Sequence, residues 1–158
     1  MIDALPNARF AELHGRVIHV DLERTFAALH AMHWSELPMT RPLFVVRGLG
    51  SLADAPVLSG AFAPVHEDPP RYTTGAMIGK PWAVTSTASV IVDNLAEFRQ
   101  FREPGWLKFA MEWVLSPLDE RRTFVETATL CEPTDAVAAR RFDALLADDP
   151  GREWSDSS

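Results

Sequence analysis

Residues 106–115, WLKFAMEWVL, can be read in two ways, and the choice decides the fold. Trp106, Phe109, Ala110, Trp113 and Val114 fall on one helical face, but the nearly continuous apolar run also suits a long strand covered on both sides. The neighbouring sequence favours the strand. Residues 117–121, PLDER, read as a turn, and the following RTFVETATLC (122–131) is rich in β-branched and aromatic residues. The two runs are therefore expected to form an antiparallel hairpin. Lys108 and Glu112 then stand out as charges inside an apolar strand, with Glu126 in the run that returns beside it.

Upstream of the hairpin, AELHGRVIHV (11–20) reads as a first strand. Asp21 follows as an N-cap, and Leu22, Phe26 and Leu29 recur at helical spacing, so a short helix is expected near 22–31. A second helix is suggested by TRPLFVVRGLG (40–50), where Thr40 can cap, Pro42 fits the first turn and Gly48 can end it. Residues 57–66, 71–79 and 82–92 read as three strands separated by the turn formers EDPP and GKP. In DNLAEFRQF (93–101), Leu95, Phe98 and Phe101 are spaced for one or two helical turns. Thr134 and Asp135 open a C-terminal amphipathic helix carrying Val137, Phe142, Leu145 and Leu146. The expected class is α+β, because the strands form a run and the helices are segregated from them. Residues 1–147 are expected to form a single domain, and the acidic, Ser-rich 148–158 a disordered tail.

Composition narrows the functions available. A chain of 158 residues with 47% hydrophobic and 23% charged residues fits one globular domain. Its formal charge of −7, with no dense run among its 15 Lys and Arg, argues against a nucleic-acid partner. The longest charge-free run, PWAVTSTASVIV (81–92), is too short and too polar for the roughly 20 apolar residues of a membrane span. MIDALPNARF lacks the basic flank and apolar core of an export signal, so a cytoplasmic location is expected. The single Cys131 has no intrachain disulfide partner, no CxxC and no adjacent basic cluster, and is expected to be packed rather than nucleophilic.

Several strings together resemble the START/polyketide-cyclase-like (SRPBCC) superfamily: HGRVIHVDLERTFAALHAM (14–32), ELPMTRPLFVVRGL (36–49), IGKPW (78–82), FREPGWLKFAMEWVL (101–115) and RTFVETATLCEPTDAVAARRF (122–142). The resemblance implies a helix-grip fold, in which a curved antiparallel sheet of about six strands wraps around a C-terminal helix, with two short helices after the first strand. It also implies a hydrophobic cavity between sheet and helix, binding lipid-like or polyketide-like molecules, with cyclisation or dehydration catalysed by some members. One departure is the helix end: after ARRF the chain turns acidic in DALLADDPGREWSDSS. A lid this short leaves the cavity partly open or covered by a second chain.

The pocket candidates are Phe44, Met77, Trp82, Trp113 and Phe142, with Glu112 and Glu126 as orienting polar groups. If the hairpin turn centres near Asp119, Glu112 and Glu126 face each other, and two neighbouring carboxylates would raise one pKa and make an acid–base pair. A different register, or pairing with Lys108, Arg71 or Arg122, would give them structural roles instead. His30 and His33, one turn apart, could share a metal with Glu36, but nothing completes a site, and no metal or cofactor is expected. His14 and His19 differ by an odd number and would face opposite sides of an unbroken strand. The leading expectation is binding of a small hydrophobic molecule. The alternatives are a cyclase or dehydratase with a glutamate acid–base, and a homodimeric interaction module that associates beside the short helix.

Overall fold

The structure, a computed structural model, describes residues 4–33, 56–59, 62–83 and 89–147. The expected hairpin is its backbone. Strand β5 (Leu107–Asp119) pairs antiparallel with β6 (Arg122–Pro133). Asp119 ties the turn, its carboxylate accepting from the Arg121 amide at 2.9 Å and the Arg122 guanidinium at 2.7 Å. Leu107, Trp113 and Leu115 are buried on one side of β5, and Lys108, Ala110 and Glu112 on the other. Cover on both faces is the reason the run lacks the polar alternation of a half-exposed strand.

Around the hairpin the sheet has six antiparallel strands among the described residues. β1 (Phe10–Ile18) lies beside β6 at one edge. On the other side β3 (Tyr72–Gly79) pairs with β5. Beyond β3 lie β2 (Pro64–Asp68), against its first half, and the two-residue β4 (Ser89–Val90), against its end. Two expected strands are thereby shortened. Among the described residues of 57–66 only Pro64 onward is strand, because Ser59 turns the chain by donating to the Pro56 carbonyl at 2.6 Å, and the Phe62 amide donates to the Ser59 carbonyl at 3.0 Å. The freed segment plugs the sheet: Val57, Leu58 and Phe62 are buried, and Phe62 occupies the space a Cβ would need at Gly75, where its Cε1 would lie 2.6 Å away. Within 82–92, residues 81–82 form a turn and Ser89–Val90 pair with β3, while 84–88 lie outside the described residues.

Three helices complete the α+β architecture among the described residues. Helix α1 (Leu22–Ala31) has the expected bounds, with the Asp21 carboxylate capping the Arg24 amide at 2.9 Å. In α2 (Leu95–Gln100), Asn94 caps the Glu97 amide at 2.9 Å and Glu97 returns a bond to the Asp93 amide at 3.1 Å, a reciprocal arrangement close to a capping box. The C-terminal helix α3 (Ala136–Ala147) packs on the sheet, and its first turn is held by Asp135 accepting from the Ala138 amide at 2.7 Å. The second expected helix at 40–50, Phe44 within it, and the tail at 148–158 lie outside the described residues.

The elements cover the two faces of the sheet differently. α1, α3 and the plug residues Val57, Leu58 and Phe62 lie on the face that carries Leu107, Phe109, Met111, Trp113 and Leu115. The opposite face, carrying Ala110 with Ala76 and Ile78, is covered by the N-terminal segment through Ala4 and Leu5 and by α2 through Phe98.

Candidate functional site

The hairpin register decides what the two glutamates can do. Glu112 pairs with Ala128, and Glu126 with Val114, so the carboxylates are diagonal rather than opposed. Moving the turn centre by one residue from Asp119 moves every partner by two, which separates the pair while leaving both on one face. That face is the one covered by the N-terminal segment and α2. Trp113, Met77 and Phe142 belong to the other face, with Trp82 packed beside Phe142. The sheet therefore lies between Glu112 and Glu126 on one side and α3 on the other.

Glu112 has a structural environment instead. It is 1% exposed and accepts from the Ala4 amide at 2.6 Å, so a carboxylate anchors the N-terminal segment to the middle of the sheet. Its cross-strand neighbour on β3 is Thr74, whose hydroxyl is hydrogen-bonded to that of Tyr72. Lys108, also 1% exposed, pairs with Glu132 at 2.6 Å and donates to the Arg99 carbonyl of α2 at 3.5 Å. The charges that looked anomalous in the opening run thus hold the second layer onto the sheet. Glu126 is half-buried on the same face, beside Gly15 and Val114.

Tyr72 senses this cluster. Burial pushes its phenol up from 10.0 to about 12, opposed by the hydrogen bond with Thr74 and reinforced by the charge of Glu112 and a hydrogen bond to it. The fold favours the neutral phenol, so the stability it contributes is fully present below pH 10 and is lost as pH rises from 10 to about 12. Tyr72 is the chain's single tyrosine, so tyrosinate absorbance reads this one group. The native protein is expected to titrate near 12, and Glu112→Gln to lower the midpoint only partly, since burial is the larger cause. Titration near 10 in the folded protein would show that the hydroxyl reaches water. Tyr72, with the tilted ring of His66 at 5.4 Å, lines an open groove of about 550 Å³ that also includes Arg71, Val114 and Ser116.

On the helical face, the apolar side chains form two clusters. One joins α1 and the plug residues Val57, Leu58 and Phe62 to Trp113 and Leu115, with Met77 and Met111 beside it; the other joins α3 to Leu107 and Cys131 through Phe142, Leu145 and Leu146. Phe109 touches both. Trp82 packs into the α3 cluster, and its indole Nε1 is buried with no hydrogen-bond partner among the described residues. A buried N–H left in this way costs about 1–3 kcal/mol. Sequence reasoning picked Trp82 for its apolar ring; the unmatched donor depends on tertiary surroundings that periodicity does not encode.

The remaining candidates resolve into packing. Burial pushes the Cys131 thiol up to about 12, so it carries no thiolate at neutral pH. His30 Nε2 lies 3.0 Å from Glu67, which also accepts from Thr73 at 2.8 Å, so this histidine belongs to a contact between α1 and β2. Glu36, its expected companion, lies outside the described residues, as does any site it would complete. β1 ends at Ile18, so His19 falls beyond the strand. No helix of the described residues is long and apolar enough to cross a membrane.

Compared with known proteins, the chain matches no family model, no curated protein and no solved structure.

Proposed function

We propose that this chain binds a small, largely apolar molecule between the sheet and α3, in the manner of the helix-grip proteins its sequence resembles. The observation that carries the reading is the buried, unmatched indole N–H of Trp82 within an apolar cluster that includes Phe142 and Cys131. A pocket that is mostly apolar with one directed donor is the usual composition of a small-molecule site. The ligand class follows from the chemistry: an apolar skeleton with one acceptor oxygen, such as a ketone or ester, that would take the Trp82 hydrogen bond. Affinity would come from burying apolar ligand surface at about 25 cal/mol per Å², with the hydrogen bond setting orientation. The α+β architecture with a C-terminal helix on an antiparallel sheet supports a helix-grip relationship without requiring catalysis.

Native mass spectrometry of protein purified from its own host is the direct test, since a co-purifying apolar compound appears as added mass. Trp82→Phe keeps an aromatic ring, gives up part of the indole's packing and removes the donor. It is expected to weaken binding of a ketone ligand about tenfold more than binding of the hydrocarbon of the same skeleton. The ligand-free protein is expected to lose stability only through the smaller ring's packing, because the donor removed satisfies nothing in the fold. Equal effects on both ligands would overturn the assignment of Trp82. Absence of binding by any apolar compound would overturn the function.

A further inference from the structure

The two edges of the sheet are built differently. β2, at one edge, has five residues, begins on Pro64, is interrupted by a register shift between Pro64 and His66, and carries Glu67 and Asp68. These are the devices that keep an edge from pairing with another chain. β1, at the other edge, carries Glu12 and Arg16 but has neither the shortness, the proline nor the register shift: it runs for nine residues in unbroken register with β6, and residues 11–17 are all exposed. Leu13 is 61% exposed and Val17 40%. An unprotected, continuous edge of this length is a template for strand addition.

We propose that β1 pairs antiparallel with β1 of a second copy of this chain, about a two-fold axis through His14. The sequence of β1, FAELHGRVI, is self-complementary about that residue. The axis sets Glu12 against Arg16 of the second copy and Arg16 against Glu12, giving two opposite-charge cross-strand pairs on one face. Phe10 meets Ile18 on the same face. On the opposite face Ala11 meets Val17, and Leu13 meets Gly15, whose surface is already occupied by its own chain's Phe124: a Cβ there would lie 2.8 Å from the ring. The exposed Leu13 thus gains an aromatic contact in place of water.

Hydrogen bonding independently restricts the axis to one that passes through a residue. Only alternate residues of an edge strand point their amide and carbonyl outward. An axis through a residue pairs positions of equal parity, so outward groups meet outward groups; an axis between residues does not. Of the residue-centred choices, one through Leu13 would set Phe10 against Arg16, and one through Gly15 would set Glu12 against Ile18 and His14 against Arg16. Only the His14 axis matches charge with charge and apolar with apolar. The contact is isologous and closes as a dimer, joining the two sheets into one of twelve strands.

Sedimentation equilibrium of the full chain, from micromolar to millimolar concentration, tests this. The wild type is expected to show a concentration-dependent mass approaching twice 17.6 kDa. Glu12→Arg converts both attractions into repulsions and is expected to weaken the dimer about tenfold. Arg16→Glu does the same, and the double swap E12R with R16E restores wild-type association. Circular dichroism confirms that these exposed substitutions leave the fold intact. A wild type that stays monomeric throughout overturns the proposal and leaves the edge to a strand from another protein. A dimer insensitive to both single substitutions, or one that the double swap fails to rescue, overturns it as well.

Discussion

Glu132→Ala is expected to lower the unfolding free energy by about 3 kcal/mol, because it breaks a buried ion pair from one side. The reason is what remains behind. Lys108 is 1% exposed, directly paired with Glu132 across the hairpin, and flanked on β3 by the fully buried Ile78. Its ammonium lies 2.6 Å from Glu132 and, among the described residues, reaches otherwise only the Arg99 carbonyl at 3.5 Å. Removing the carboxylate leaves a buried cation with one long hydrogen bond, and breaking a buried pair from one side costs about 3–5 kcal/mol. Glu132 is itself 14% exposed, so some water can enter, which places the loss near the lower end.

Replacing both members together should behave differently. Lys108→Met with Glu132→Leu removes two desolvation penalties along with the attraction, and is expected to be neutral or stabilising. Urea unfolding followed by tryptophan fluorescence reads both outcomes, with an unchanged m value showing that the folded state keeps its compactness. A domain of this kind has only about 5–15 kcal/mol in hand, so the single substitution removes a large share. If Glu132→Ala costs less than about 1 kcal/mol, Lys108 reaches solvent and the pair is a surface interaction.

The second large effect is at Glu112. Glu112→Ala is expected to cost about 2–3 kcal/mol, because it removes a charge-assisted hydrogen bond inside the fold and strands the Ala4 amide. Ala4 and Leu5 are buried under α2 beside Phe98, so losing the anchor should free the N-terminal segment as a unit. Hydrogen exchange is the informative measurement. Protection should fall at residues 4–8 and in α2, while β5 and β6 keep theirs. Glu112→Gln retains an acceptor for the Ala4 amide and should cost about half as much. Glu126→Gln, at a half-buried position, should stay within about 0.5 kcal/mol of wild type. Uniform loss of protection across the sheet in Glu112→Ala would show that the carboxylate supports the hairpin itself rather than the segment above it.

These outcomes also mark where sequence reasoning stops. The hairpin at 107–133 was legible because a long apolar run, a Pro and Asp turn and a β-branched run leave few alternatives. The helix at Leu22–Ala31 was equally legible, since its cap and its apolar spacing are local. The plug of Val57, Leu58 and Phe62 was not, because these residues have strand character, and the fit of Phe62 and Leu58 over Gly75 draws them out of the sheet. Parity along a strand placed Glu112 and Glu126 on a common face. It could not say that α3 would lie on the other one, because alternation distinguishes two faces without labelling what covers each.

Local chemistry, read along the chain, was therefore enough for the class of the fold, the hairpin, the first helix and the anomaly of charges in an apolar strand. Tertiary packing decided the register, the separation of the glutamates from the helical face, the anchoring of Lys108 and Glu112 beneath a second layer, and the unmatched donor of Trp82. The division has one physical cause. Caps, turns and periodicity involve residues a few positions apart, whereas Ala4 and Glu112 are 108 positions apart and meet only once the sheet has formed.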